Sequence, residues 1–453
     1  MKHDRVELWI AVAIVFIAAI SFWVARSYEP FTAGLGRQRD DVYFENIAFH
    51  LARGEGVMLD FTNEEWRRPF DEANQAGENN WILAQRVRGI TTSRSPGFPL
   101  LMAAVYQVAG RNWVAVRVVN VAILAVALTL LVRVVVRYFG WGIGGLALLT
   151  LLGDAFVLQT ASQLMTESLA TAVTCFLFVA VVELTAREES GGAETREHKR
   201  QRLWPWLGVG LLYGFGILVR ANLNAWLALI CVGLGAIVLG RLWRRIPLGP
   251  LLVPAVAFGL GVALIAAPWW IRNCVLTRAF GPSGTSGTFS LAGAYCDKAF
   301  SNGGNWDEET VLGSQQRSLQ RPGFLSHSLP EQEFLMAEDS RQMARDWVAK
   351  NLEKLPVLAL KRAQSHLGFY GHPEWLMFLN GLLIFGAVIG CIASRQSFGW
   401  WIAVVIGMSV LTTMLTWSHY GRYSIPIRPL IHVGSAIGTF AFWRFVLGLS
   451  PKR

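Results

Sequence analysis

Charge is scarce in this sequence. Only 16% of the 453 residues are Asp, Glu, Lys or Arg, while 53% are hydrophobic. A soluble domain carries about a quarter charged residues, so a soluble globular chain is excluded. Cysteine is scarce as well. The five cysteines are scattered, with no zinc-ligand spacing, and neither a Walker loop nor a dinucleotide fingerprint occurs. Low-complexity stretches and internal repeats are also missing, which argues against linkers and solenoids. No small-residue cleavage site follows the first apolar run, Leu8 to Ala25, so it reads as a span rather than a secretion signal.

What the chain does have is apolar runs of about 20 residues, the length that crosses a bilayer as a helix. Roughly ten such helices are expected: 8–25, 113–136, 140–158, 164–186, 204–220, 223–240, 249–270, 375–393, 398–416 and 424–447. The fold class is all-α and polytopic. Segment 97–110 is apolar but too short to cross, and reads as an interfacial or re-entrant helix.

The net charge of +10 fits this arrangement better than it fits nucleic acid. With the N-terminus inside, the inner ends carry Lys2 and Arg5, Arg133 and Arg137, AREESGGAETREHKRQR (186–202), RLWRR (241–245), Arg395, and Lys452 with Arg453. Every inner loop is then basic, as the positive-inside rule asks. The expected setting is a bacterial inner membrane, with both termini cytoplasmic. One membrane domain, 1–453, then carries two long outer loops, 26–112 and 271–374. The second holds EQEFLMAEDSRQMARDWVAKNLEKL, with apolar residues at helical spacing. Cys274 and Cys296 fall in that loop and make a disulfide conceivable in an oxidising compartment.

The outer face collects an unusual set of ionisable groups. Asp40 and Asp41 lie in RQRDD, and Arg94 in TTSRSPGFPL. Glu167 starts one span, and Arg220 with Asn222 ends another. Arg272 and Asn273 leave PWWIRN; His419, Arg422 and Tyr423 lie in SHYGRYSIP. Singly, each has a plain reading. An arginine at a span end snorkels to lipid phosphate, Glu167 caps its helix, and the aspartates pair with Arg37 and Arg39. Asp154 is the main break in otherwise apolar spans and reads equally as an interfacial residue. Together, arginines and acids on one face suit an anionic lipid substrate, because arginine grips phosphate with paired hydrogen bonds and a carboxylate serves an acceptor hydroxyl as general base.

These residues lie in stretches that resemble the GT-C superfamily of glycosyltransferases, in the group of protein O-mannosyltransferases and aminoarabinose lipid A transferases. DDVYFENIAFHLARGEG (40–56) is similar to the family's first-loop motif, and SRSPGFPLLMAAVYQVAG (93–110) to its Arg-x-Pro-Gly-Tyr-Pro-Leu segment. MTESLATA, PWWIRNCVLTRAFGPSGTSGTFSLAG and HYGRYSIPIRPL match three later patches in order. The resemblance implies transfer of a sugar, with inversion, from a polyprenyl-phosphate carrier to a glycolipid, glycan or protein acceptor. It makes Asp40 or Asp41 catalytic, and Arg94 and Arg422 donor-phosphate ligands. Arg220 joins them as a further candidate, and Arg272 either does so or only fixes its loop. Glu167, Tyr423, Asn273 and His419 are candidates to position acceptor or sugar. Residues 93–97 read Ser-Arg-Ser-Pro-Gly, not the Glu-Lys-Pro-Pro of the aminoarabinose branch, so that branch's metal site and lipid A acceptor do not carry over. No cofactor is established by the sequence; a divalent metal is the open option, with His372, Glu374 and His419 as conceivable ligands. The rival readings are a flippase for lipid-linked glycans, a glycan ligase or polymerase using a diphosphate-linked donor, and an inactive glycolipid binder.

Overall fold

A backbone in hydrocarbon must satisfy its own polar groups, so the long apolar runs fold as helices. The computed structural model describes residues 2–26, 40–73, 87–190, 196–279, 281, 284–394 and 397–448. Arg37, Arg39, Arg395, Lys452 and Arg453 lie outside these. Eight helices among the described residues are long and apolar enough to cross a membrane: Val6–Arg26, Trp113–Phe139, Thr166–Arg187, Leu223–Trp243, Gly249–Thr277, Glu374–Ala393, Ser397–Leu415 and Arg422–Val446. The chain is an all-α polytopic membrane protein.

Two of the ten expected spans take a different form. The run 140–158 is broken: Trp141–Leu152 and Ala155–Ser162 meet at 59°. Asp154 is the cause. It adopts extended backbone (φ −84, ψ 95) and its carboxylate caps the second piece, accepting from the amides of Phe156 (2.9 Å) and Val157 (3.3 Å). Its other oxygen takes Arg428 Nε at 2.6 Å and His432 Nε2 at 2.7 Å, so the break is pinned to the last helix. Asp154 is thus buried rather than interfacial. The run 204–220 falls on Arg196–Val219, whose apolar stretch, Leu203–Val219, is shorter than the eight.

Close backbone approach sets how these helices pack. Gly386 and Gly390 face Gly434 and Gly438 across the last helix pair, and a Cβ on Gly438 would run into the Gly386 carbonyl. The last span is the most enclosed, with 78% of its apolar window buried, whereas Leu223–Trp243 has 11% and faces outward. Exposed Val232, Leu264, Phe385 and Ile392 belong on that outer, hydrocarbon-facing surface.

Both long loops fold on one end of the bundle. In the first, Asp40–Ala52 packs against Gly97–Ala109, a 13-residue helix too short to span. A Cβ on Gly97 would lie 2.6 Å from the Leu218 carbonyl carbon, so only glycine lets this helix meet the end of Arg196–Val219. A two-stranded antiparallel hairpin, Met58–Asp60 with Arg88–Ile90, crosses beneath. The Asn46 side chain bonds both the carbonyl (3.1 Å) and the amide (2.8 Å) of Asp60, tying helix to hairpin. In the second loop the expected long helix is Leu329–Lys350. Cys274 and Cys296 are both free. Cys296 instead caps its own short helix, its sulfur accepting from the Ala299 amide at 3.3 Å.

Candidate active site

Asp40 opens its helix, where the first-turn amides favour a carboxylate. Its two oxygens go to two arginines from opposite ends of the chain. Arg94 Nη2 donates to Oδ1 at 2.9 Å, and Arg422 Nη2 donates to Oδ2 at 3.2 Å. Arg94 is held flat over the Tyr43 ring, 4.9 Å from its centre. Arg422 begins a short 3-10 turn after Gly421, whose φ of +76° lets the chain swing the guanidinium toward Asp40. Arg422 also donates through Nε to Glu167 Oε1. Arg220 Nη1 lies 3.5 Å from that same oxygen and sits over the Tyr423 ring at 5.0 Å. Trp417 Nε1 fixes the Tyr423 hydroxyl at 2.8 Å. The sequence candidates Asp40, Arg94, Arg422, Glu167, Arg220 and Tyr423 therefore form one network. Three guanidiniums against two carboxylates leave one excess positive charge, which suits an anionic ligand.

The electrostatics follow from this geometry. Burial pushes the Asp40 carboxyl up, but the Arg94 and Arg422 guanidiniums outweigh it and hold it below its ordinary 3.8. The side chain still keeps 34% of its surface accessible, so a ligand can reach it. Burial and the nearby Arg422 push His419 below 6.5, so its ring is neutral at pH 7. Several buried polar atoms here have no hydrogen-bond partner: Glu167 Oε2, Ser168 Oγ and His419 Nδ1.

Asp41 is 9% exposed, and its Oδ1 accepts from the Val42 amide at 3.1 Å. Arg272 bonds the loop that carries Arg94: Nη2 donates to the carbonyls of Thr91 (3.0 Å) and Val57 (3.2 Å), and Nη1 to Asn273 Oδ1 (3.0 Å). Arg272 and Asn273 are thus bound into the support of the site. No group of three or more metal-ligating side chains is found among the described residues, and His372, Glu374 and His419 do not gather into one. His372 meets Phe156 edge to face, and His419 meets Trp306 in the same way.

Three supporting residues escaped the sequence reading. Glu333 is buried and accepts from the Thr92 amide (2.7 Å) and the hydroxyls of Thr92 (2.7 Å) and Thr91 (2.5 Å). Together with Arg272 it clamps the segment preceding Arg94 by both its donors and its carbonyls. Asn305 Oδ1 accepts from the Tyr420 amide at 2.7 Å and from Ser365 Oγ at 2.5 Å, bracing the turn before Arg422. Glu45, fully buried, takes Arg111 Nε (2.7 Å) and Nη2 (3.0 Å) together with the side chains of Trp66, Tyr106 and Trp113. Glu45 carried a legible signal, as a lone acid inside an apolar helix; the partners of Glu333 and Asn305 are too distant in sequence to suggest themselves.

No protein-family model and no curated protein sequence matches this chain. Its arrangement does match solved structures. The chain is similar to ArnT from Cupriavidus metallidurans. The crystal structure of ArnT bound to undecaprenyl phosphate matches over 99% of this chain and 79% of its own, at 13% identity and a TM-score of 0.37. The apo structure matches over 99% and 80%, at 14% identity and a TM-score of 0.36.

Proposed function

We propose that this protein is a membrane glycosyltransferase that moves a sugar from a polyprenyl-phosphate carrier to an acceptor hydroxyl, with inversion. The observation that carries the reading is the single carboxylate, Asp40, shared between Arg94 and Arg422. Those guanidiniums are bonded to Asp40. A donor phosphate binds the same two groups and competes with Asp40 for them. As the phosphate takes their charge, Asp40 loses what holds its pKa down and becomes a stronger base at the moment the donor is in place. The acceptor oxygen then attacks the anomeric carbon opposite the phosphate. Its proton passes to Asp40, the new C–O bond forms, and the bond to the phosphate oxygen breaks. The departing phosphate keeps the electron pair and is stabilised by Arg94 and Arg422. Arg220 adds positive charge nearby, and Glu167 with Tyr423 and His419 orients hydroxyls. We assign the base role to Asp40 rather than Asp41 because Asp40 is accessible and bonded to both arginines, whereas Asp41 is 9% exposed. We place the site on the extracytoplasmic face of a bacterial inner membrane, consistent with the basic loops at the opposite end. The acceptor is a glycolipid, glycan or protein, and nucleic acid is no partner.

The test uses radiolabelled polyprenyl-monophosphate sugars, membrane extract as mixed acceptor, and purified wild type or Asp40→Asn. Wild type is expected to transfer label, and Asp40→Asn to be slower by about a hundred- to ten-thousand-fold, the usual contribution of a general base. Equal transfer by the two would remove Asp40 from the chemistry. A folded wild type inert with every monophosphate donor would defeat the reading itself.

A further inference from the structure

At the opposite end of the bundle the helices Lys2–Arg26, Trp113–Phe139 and Thr166–Ser190 separate and leave a groove of about 1220 Å³. The end is the far one because Arg111, just before Trp113, bonds Glu45 beside the candidate site. From there the helix runs on for roughly 30–40 Å to Arg133 and Arg137. The groove walls are apolar, with Ala13, Leu130, Val134 and Val179 among them. Among the described residues that line it, its mouth is cationic: Arg133, Arg137 and Arg187 against one acid, Glu183. Glu183 is already taken by Arg137 Nη1, at 2.7 and 2.9 Å. Arg133 and Arg187 are exposed and have no ion pair with any described residue. Trp9 stacks on Trp141 at 5.4 Å beside this mouth, at the depth where aromatic side chains mark the edge of the hydrocarbon.

An apolar cleft between spans, closed at its polar end by two uncommitted guanidiniums, has the two halves of an anionic lipid's recognition. The walls take acyl chains, and the arginines take the phosphate with directed, paired hydrogen bonds. A zwitterionic lipid offers the same chains, but its own ammonium group offsets the phosphate. Arginines that served only to set orientation need no cavity beside them. We propose that this groove is a binding site for an anionic phospholipid of the leaflet opposite the Asp40 site, with Arg133 and Arg187 on the headgroup phosphate. The site stands apart from the reaction proposed above, and its test reads no transfer.

The experiment exposes the purified protein to equal amounts of phosphatidylglycerol and phosphatidylcholine and counts retained lipid by native mass spectrometry. Wild type is expected to favour phosphatidylglycerol by on the order of tenfold. Arg133→Gln combined with Arg187→Gln should remove the preference while phosphatidylcholine retention is unchanged. Ala13→Phe, which fills the groove and leaves the arginines, should lower retention of both lipids. All three substituted positions are exposed or half-buried, so folding is checked by thermal midpoint. Equal retention of the two lipids by wild type overturns the proposal, and so does a wild-type preference in the double arginine variant.

Discussion

Asp40 divides its two oxygens between two arginines, and that division makes its pH behaviour unusual. Its folded pKa lies below 3.8, so its ion pairs add stability that is present above pH 3.8 and lost as pH falls through the lowered value. Under the proposed reaction the same sign holds before the donor binds: the acid limb of kcat/KM attributable to Asp40 should lie below pH 3.8. With phosphate occupying Arg94 and Arg422, the acid limb of kcat should lie higher. A pH–rate profile of both parameters checks this; coincident limbs would mean that the phosphate does not take the arginines from Asp40. Glu333 has the opposite sign. Burial, its first cause, pushes its carboxyl above 4.5 despite the donors around it. Ionising it therefore costs stability as pH rises through its folded value. Glu333→Gln should flatten that slope in a thermal-midpoint series. Glu333→Ala should destabilise by about 1–3 kcal/mol, because the Thr92 amide and two hydroxyls lose their acceptor. Arg422 is the more dangerous residue to remove. Arg422→Met leaves Glu167, 1% exposed, with only the longer contact to Arg220, and should cost about 3 kcal/mol, more than Arg94→Gln. Thermal midpoints of the two variants rank them.

At the scale of elements, the spans were legible because a run of about 20 apolar residues has one physical solution in a bilayer. The break at Asp154 was visible only as an acid in an apolar run. What converts it into a corner is its partnership with Arg428 and His432, 274 and 278 residues away. The site divided in the same way. Asp40, Arg94, Glu167 and Arg422 could be picked out because ionisable groups near span ends are costly without a task. Their braces were hidden because each is an ordinary polar residue in a loop. Thr91 and Glu333 are 242 positions apart, and nothing local in either stretch announces the other. Arg272 shows the limit from the other side, since residue type alone does not separate a ligand for phosphate from a ligand for backbone carbonyls. The last helix pair allows a direct test of packing. Gly438→Leu would drive a side chain into the Gly386 carbonyl. The variant should lose the Glu374–Ala393 contact and fall in thermal midpoint, whereas Gly407→Leu, with open space around it, should be nearly neutral.

For the whole molecule, the two loops and the last helix converge on one end, and the basic groove lies at the other. Single cysteines in a background lacking the native five should therefore label from opposite sides of sealed membranes. Lys354→Cys on the loop end and Arg244→Cys on the far end make the pair. Labelling of both from the same side would refute the arrangement. The shared carboxylate also has a consequence for how the protein is made. Asp40 and Arg422 are 382 residues apart. At ribosomal speeds of about 5–20 residues per second, roughly 20–75 seconds separate their synthesis. Until Arg422 is made, the nascent chain offers Asp40 only Arg94, and Glu167 only Arg220, of the three arginines in the network. A chain truncated before Arg422 carries both acids but lacks the guanidinium that joins them. The network that joins Asp40 to Glu167 closes only when residue 422 is made, and a product shortened before it holds two separate ion pairs instead of one network.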